Sequence, residues 1–336
     1  MKSQGIKIKE NVSLSRYTSF KIGGPAKFFC EVTNEYELEE AVKFARSQKL
    51  AAFLLGGGSN LVISDDGFDG LVIKIASDKP QYKMSSQNGK IYLECWAGES
   101  LGSIVNMACQ SGMPGLEWAA GIPGTLGGAI RGNAGAYGGS ISDCTESVKV
   151  MTLGDLQFVV KGPEEESSSS YKLRMMNYEN GECKFGYRNS RFKENEDLVV
   201  VSAVLRFDKG GNKAELEAKA KEIIGKRNDK YPKFPSAGSF FQNPVVDNPE
   251  LIARFERDIN DKCREKKIAA GWLITEAGLK GKKVGNIQVS EEHSNFLINL
   301  GGGKAADVVM LASIIKQKVR DVLGVQLLEE VRYVGF

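Results

Sequence analysis

The stretch Ala120-Gly-Ile-Pro-Gly-Thr-Leu-Gly-Gly-Ala-Ile-Arg-Gly-Asn-Ala-Gly-Ala-Tyr-Gly-Gly139 decides how this chain is read. It holds eight glycines in twenty residues and almost no charge. A solvated linker would be richer in Ser, Lys and Glu. Here Ile122, Pro123, Leu126, Ile130 and Tyr137 interleave with the glycines, which predicts backbone laid closely against something flat and large. Thr125 and Asn133 can bond sugar or phosphate oxygens. A second cluster, Gly56-Gly-Gly-Ser-Asn60, follows one apolar run and precedes another, Leu61-Val-Ile63. No helix pattern begins there, so a Rossmann-type phosphate site is not supported, but successive small residues can form a nest of backbone N–H groups. A plain hairpin turn does not need three consecutive glycines. Two separate glycine cradles favour a dinucleotide ligand over a mononucleotide.

Outward from these cradles, the whole chain has 336 residues, a length that predicts about two domains. Glycine accounts for 38 of them, about 11% against a typical value of roughly 7%. Apolar residues make up 42% and charged residues 26%, the balance of an ordinary globular protein. The net charge of +3 is too mild for a nucleic-acid or anionic-membrane surface. No apolar run reaches the length of a membrane span or of a signal peptide, so the expectation is a soluble cytoplasmic protein. The six cysteines show no C-x-x-C spacing and have no partner histidines, which predicts buried thiols and no metal site. The single histidine, His293, leaves imidazole chemistry almost out of reach, so other groups must carry any catalysis.

Hydrophobic periodicity predicts strands at 28–32, 51–55, 61–63 and 71–75, with a helix at 36–47. A further strand begins at Ile91, a helix covers 100–111, and strands follow at 146–153 and 198–207. A helix at 214–227 precedes Tyr231-Pro-Lys-Phe-Pro235, a domain boundary by its proline pair. A strand at 296–300, a helix at 304–322 and a terminal strand at 331–334 complete an α+β pattern. Two segments read as inserts. Residues 161–181 contain Glu164-Glu-Glu and four consecutive serines, and predict a mobile surface loop. Residues 249–267 predict a helix with Leu251, Ile252, Phe255, Ile259 and Cys263 on one face. Gly301-Gly-Gly303 follows a strand, opens a helix and has Asp321 at about the spacing of a ribose contact, as a dinucleotide fingerprint would. Too little chain follows it to bury a nucleotide, so it is read as a tight strand–helix turn.

Several of these segments, in order, resemble the UDP-N-acetylenolpyruvoylglucosamine reductases (MurB), flavoenzymes of peptidoglycan synthesis. The resemblance runs through Thr18-Ser-Phe-Lys-Ile-Gly-Gly-Pro-Ala26, Gly56-Gly-Gly-Ser-Asn-Leu61, Pro123-Gly-Thr-Leu-Gly-Gly-Ala129 and Asn133-Ala-Gly-Ala-Tyr-Gly138. It continues through Tyr187-Arg-Asn-Ser-Arg-Phe-Lys193, Ala237-Gly-Ser-Phe-Phe-Gln-Asn-Pro244 and Ala277-Gly-Leu-Lys-Gly281. It ends in Gln288-Val-Ser-Glu-Glu-His-Ser-Asn-Phe-Leu-Ile-Asn299 and Leu328-Glu-Glu-Val-Arg332. Asn189 departs from it, standing where an acidic residue often follows the Tyr-Arg pair.

The resemblance implies a two-subdomain FAD-binding fold of the vanillyl-alcohol-oxidase/PCMH type plus a C-terminal α+β substrate-binding domain. The implied divisions are 1–78 and 79–228 for the FAD subdomains and 229–336 for the substrate domain, with residues 328–336 packing back on the FAD domain. FAD and NADPH are the implied cofactors. The flavin is expected to be noncovalent, because histidine is the usual tether in the rival vanillyl-alcohol-oxidase-type oxidases and His293 falls in the substrate domain. Cofactor contacts are expected from Ile22, Gly23, Gly56, Gly57, Gly58, Ser59, Asn60 and Leu61. The glycine-rich stretch adds Pro123, Gly124, Thr125, Gly127, Gly128, Asn133, Ala134, Gly135, Tyr137 and Gly138. Substrate contacts are expected from Tyr187, Arg188, Ser239, Asn243, Lys280, Gln288, His293 and Asn295, with a UDP-sugar and NADPH as partners of a monomer. Implied catalytic roles fall on Arg188, Ser239 and Glu330. A guanidinium suits the charge that builds on an enolpyruvyl carboxylate. Ser239 would protonate C2. Glu330 could donate a hydrogen bond to that carboxylate only if protonated.

Overall fold

The computed structural model describes residues 5–153 and 173–336. Of the expected loop 161–181, residues 161–172 lie outside the described residues. The remainder is not loop: Arg174–Glu179 is a strand paired antiparallel with Thr145–Thr152, Val148 opposite Tyr178 and Val150 opposite Met176. Tyr178 anchors it edge-on to the buried Phe192 ring, 5.8 Å between centroids. The acidic and serine-rich composition upstream hides this strand.

The described chain forms two compact units. The first comprises 1–12, 26–57 and 69–227, and the second 13–25, 58–68 and 228–336. The division differs from the sequence expectation, because 13–25 and 58–68 group with the C-terminal part. Backbone pairing supplies the reason: Arg332–Val334 runs parallel to Leu61–Ile63, with Arg332 opposite Leu61.

In the first unit, apart from the terminal residues Ser13, Pro25 and Phe68, a four-stranded sheet has the order Lys9–Ser13, Pro25–Val32, Phe68–Ile75, Ala52–Leu55. Its last two strands are parallel, Ala52 opposite Leu71. The helix Glu35–Ser47 starts at Asn34, whose side chain accepts the Glu37 N–H, a standard N-cap. It buries Leu38, Ala41, Val42 and Ala45 in the core that also takes in Leu71 and Ile73. A five-stranded antiparallel sheet follows, in the order Arg174–Glu179, Thr145–Thr152, Leu198–Asp208, Lys90–Trp96, Tyr82–Gln87. The helices Leu101–Gln110 and Leu126–Gly132 contribute Ile104, Val105, Leu126 and Ile130 to the same apolar core. Five cysteines, Cys30, Cys95, Cys109, Cys144 and Cys183, are buried thiols, and burial pushes Cys30, Cys95, Cys144 and Cys183 up to about 12.

The second unit is built on a sheet of order Ser236–Ser239, Phe296–Asn299, Ile287–Val289, Lys283–Val284. The helix Ala305–Leu323 buries Val308, Leu311, Ile315 and Val319 in the core around Phe20, Phe240 and Phe241. The Gly301-Gly-Gly303 turn is structural, as read from sequence. Asn299 Oδ1 accepts the N–H groups of Gly301 and Gly303 at 2.9 Å. The Asp65 carboxylate takes the Ala305 and Ala306 N–H groups at 2.9 and 3.0 Å, so the first turn of that helix is already capped.

The helix expected over 249–267 is shorter. Pro249–Ile259 is helical, capped by Asn248, and ends at Asn260 in the left-handed region. Glu256 then catches the Cys263 N–H at 2.9 Å and folds the chain back on the helix. Among the described residues no helix is long and apolar enough to cross a membrane. Nor does any group of three or more His, Cys, Asp or Glu among them suit a metal ion.

Candidate active site

In the first unit the two glycine cradles meet. A Cβ on Gly57 would stand 2.5 Å from Gly124 Cα, and one on Gly56 would stand 2.8 Å from Thr125 Oγ1. The contact between the loops therefore demands glycine, in addition to any ligand. The Pro123–Gly128 segment is held by backbone bonds from Leu126 to Glu99 and from Gly127 to Ala97, both 2.9 Å, and from Leu101 back to Gly124 at 3.1 Å. Thr125 is buried, and its hydroxyl accepts the Gly128 N–H as the helix cap. It therefore shapes the loop. Gly57 and Gly128 are exposed, so backbone without side chains is open to solvent beside the meeting point, with the exposed Pro123 ring next to it.

Asn133, also read as a ligand for sugar or phosphate, is buried in the left-handed region at φ 41°. Its Nδ2 donates to the Gly186 carbonyl at 2.8 Å and its Oδ1 accepts the Ser142 N–H at 3.3 Å. Through Gly186 it grips the tight turn that presents Tyr187 and Arg188. That turn is closed by reciprocal backbone bonds between Gly186 and Asn189, and Arg188 itself sits at φ 54°. A non-glycine residue there is strained, and three bonds hold it. Asn133 holds Gly186, Lys193 Nζ donates to the Arg188 carbonyl at 2.7 Å, and Arg188 Nη2 donates to Gly135 O at 2.9 Å. The guanidinium thus lies against the Gly135–Ala136 strand of a small hairpin whose turn is Tyr137-Gly138, both at positive φ. Tyr137 is half exposed and carries the Arg227 guanidinium over its ring at 5.7 Å. A Cβ on Gly139 would strike the Trp118 ring at 2.5 Å. Trp118 and Lys193 are positioning groups that the sequence reading missed. The Gly138-Gly139 pair was the available signal for the first; a lysine five residues past the arginine gives none for the second.

The second unit brings Ser239 and Glu330 onto neighbouring backbone segments. Glu330 N donates to Phe240 O at 2.8 Å, Gln242 N to Leu328 O at 2.9 Å, and Phe241 bridges to Glu329. Asn60 joins them: its Nδ2 donates to the Glu330 carbonyl and its own carbonyl accepts the Arg332 N–H, both at 3.0 Å. Leu61 pairs with Arg332. Ser19 links the Gly58 carbonyl, bonded by its N–H at 3.0 Å, to the Ser236 carbonyl, bonded by its hydroxyl at 2.7 Å. Gly23, at φ 135°, and Ile22 lie in the preceding loop, Gly23 packed against Ile63. Expected cofactor positions Gly58, Asn60 and Leu61 therefore share a neighbourhood with two of the three expected catalytic residues. Arg188 belongs to the other unit.

The remaining expected substrate residues engage polar atoms within the second unit. Asn243 Oδ1 accepts the Ala270 N–H at 3.0 Å, starting the helix Ala270–Glu276. Gln288 Nε2 donates to Gly281 O at 3.2 Å. Lys280 is exposed. His293 packs tilted against Tyr231 and edge-on to Phe296, with ring centroids 5.6 and 4.9 Å away, and its Nδ1 accepts the Asn295 N–H. Burial, helped by the Lys230 charge, pushes its pKa down to about 4, so the ring is neutral at physiological pH. Asn295 is buried with both ends of its amide on Phe241.

A family model for an FAD binding domain matches residues 26–157, and one for the C-terminal domain of UDP-N-acetylenolpyruvoylglucosamine reductase matches residues 229–334. The chain is 34% identical over 331 residues to the UDP-N-acetylenolpyruvoylglucosamine reductase of Solibacter usitatus, covering 98% of this chain and 97% of that one. It is 35% identical over 334 residues to that of Prochlorococcus marinus, covering 99% and 95%. The crystal structure of the Thermus caldophilus reductase superimposes with a TM-score of 0.71 at 29% identity over 98% of each chain. The chain belongs to the UDP-N-acetylenolpyruvoylglucosamine reductase family and is an FAD-dependent oxidoreductase of peptidoglycan synthesis.

Proposed function

We propose that the chain reduces the enolpyruvyl ether of UDP-N-acetylglucosamine to UDP-N-acetylmuramate at the expense of NADPH, with Ser239, Arg188 and Glu330 performing the residue chemistry. FAD fits the residues present: beside the junction of the two loops Gly57 and Gly128 expose backbone that carries no side chain, as close approach to a diphosphate requires. Gly56, Gly57, Pro123, Gly124, Gly127 and Gly128 would hold it, without a covalent tether, since His293 is packed between aromatic rings. When bound, FAD supplies the hydride for C3 of the enolpyruvyl group, having taken one from NADPH.

Hydride addition leaves an enolate-like carboxylate, and Arg188 stabilises it with a charge that persists at every working pH. The strain and the three bonds at its turn preorganise that guanidinium. Ser239 gives its hydroxyl proton to C2, so hydride and proton together saturate the C2–C3 bond. Glu330 completes the set by hydrogen bonding to the carboxylate. The observation that carries this reading is the Glu330 N–Phe240 O bond, which fixes the backbone beside Ser239 to that of Glu330. The test is Ser239→Ala in the FAD-loaded enzyme under anaerobic conditions. NADPH should bleach the flavin at the wild-type rate, while reoxidation by the enolpyruvyl substrate slows by about 10²-fold or more. Equal loss of both half-reactions contradicts the role, and so does unchanged reoxidation.

A further inference from the structure

The segment that carries Ser239 is built irregularly. Ser236 pairs with Ile298 and Ser239 with Phe296, so one strand advances three residues while its partner advances two. The extra residue is a bulge, with Gly238 at φ 78° and open space where its Cβ would be. A bulge re-aims the side chain that follows it, here Ser239. Immediately beyond, the partner strand stops and ladder pairing is taken over by one residue. Phe240 N donates to Asn295 O at 2.8 Å, Phe241 N to Asn295 Oδ1 at 2.9 Å, and Asn295 Nδ2 donates to Phe241 O at 2.9 Å. The primary amide thus stands in for a strand peptide, donor to acceptor and acceptor to donor. The other edge of the same segment holds Leu328, Glu329 and Glu330.

We infer that Asn295 is a positioning residue for the proton-transfer step: its amide clamps Phe241, and through that backbone sets Ser239 on one side and Glu330 on the other. This rests on the assignment of Ser239 as proton donor. Asn295 is only 4% exposed, and its backbone N–H is bonded to His293 Nδ1 at 3.3 Å, so the loop on which it rides is itself fixed. Loss of the amide leaves the Phe241 N–H and C=O buried without partners, a condition proteins avoid. The segment then relaxes, and the serine hydroxyl leaves its productive geometry, where errors of an ångström are costly.

The test compares Asn295→Ala, Asn295→Asp, Ser239→Ala and the Ser239→Ala/Asn295→Ala double variant as FAD holoenzymes. Asn295→Asp keeps an acceptor for the Phe241 N–H and carries the comparison if the alanine variant does not take up FAD. The inference predicts a limiting rate of flavin reoxidation by the enolpyruvyl substrate lowered about tenfold. Substrate dissociation constants, from the perturbation of the oxidised flavin spectrum, stay within about twofold, as does bleaching by NADPH. The double variant is no slower than Ser239→Ala alone, because residues acting through one another are non-additive. A raised substrate dissociation constant with an unchanged limiting rate would make Asn295 a ligand and overturn the inference. Additive losses in the double variant would also overturn it. If Ser239→Ala leaves reoxidation untouched, the proton-donor assignment fails first; if Ser239→Ala slows it and neither Asn295 variant does, only the positioning role fails.

Discussion

Replacing Gly57 with alanine probes the meeting of the two glycine loops, and its cost can be worked from the geometry. The new methyl carbon would lie 2.5 Å from Gly124 Cα and 3.1 Å from Gly124 C, where comfortable carbon contacts begin at about 3.5 Å. Neither partner is a side chain that can swing away; both are backbone atoms. Gly124 is further pinned by its carbonyl, which accepts the Leu101 N–H. Relief therefore requires the two loops to part by about an ångström, the overpacking regime of about 1–3 kcal/mol. If that strain falls on FAD uptake, the dissociation constant rises between about fivefold and 150-fold, at 1.4 kcal/mol per factor of ten. Gly132→Ala is the control: nothing lies within 4 Å of its Cβ position and the residue is helical. It should leave FAD affinity within about twofold and stability unchanged or slightly improved. The assay is reconstitution of apoprotein followed by flavin fluorescence, with circular dichroism to establish that each variant is folded. Wild-type FAD affinity in a folded Gly57→Ala protein would refute the cradle.

Three further outcomes follow from individual contacts. Asn133→Ala removes two bonds from a buried side chain and should cost about 2–3 kcal/mol in denaturant unfolding, while lowering turnover because the Gly186–Asn189 turn under Arg188 loses its anchor; an unchanged turnover number would detach Asn133 from that role. Asp65→Ala uncaps the helix Ala305–Leu323 and should destabilise by about 1 kcal/mol, a loss of several degrees or less in melting temperature with FAD affinity retained. His293, held neutral with its pKa lowered to about 4, makes folding weaken in acid: the unfolded chain binds its proton near 6.5 and the folded chain does not. The contribution is complete above about pH 6.5 and is lost as pH falls toward 4, about 3 kcal/mol in all. His293→Gln should flatten the stability profile across that window, and an unaltered slope would contradict the assignment.

The glycine arithmetic proved legible because glycine's meaning is geometric. At Gly57 the requirement is space, at Gly238 conformation, and at 301–303 a turn whose N–H groups Asn299 consumes. What composition could not separate was loop meeting loop from loop meeting ligand, and the Gly57–Gly124 approach is the former. Asparagines were the harder residues. Asn133 reads as a ligand contact because an exposed amide binds sugars and phosphates well, and Asn295 as a substrate contact only through the resemblance, yet both are buried and bound to backbone across 53 and 54 residues of sequence. Such pairings have no local signature. The strand Arg174–Glu179 escaped notice because polar, serine-rich sequence leads into it, and the helix from Pro249 was overextended because apolar spacing continues past Asn260, where a left-handed residue ends it. The boundary near Tyr231 was legible in its proline pair, but the grouping of 13–25 and 58–68 with the C-terminal part was not, since it turns on Arg332–Val334 pairing with Leu61–Ile63.

In the proposed reaction this chain couples NADPH to reduction of an enolpyruvyl UDP-sugar. The most direct test of that coupling is an anaerobic double-mixing experiment on the FAD-loaded wild-type protein. NADPH should bleach the flavin, and added UDP-N-acetylglucosamine enolpyruvate should then restore the oxidised spectrum with one equivalent of UDP-N-acetylmuramate formed per flavin. A flavin that NADPH bleaches but that stays reduced in the presence of that substrate would contradict the coupling.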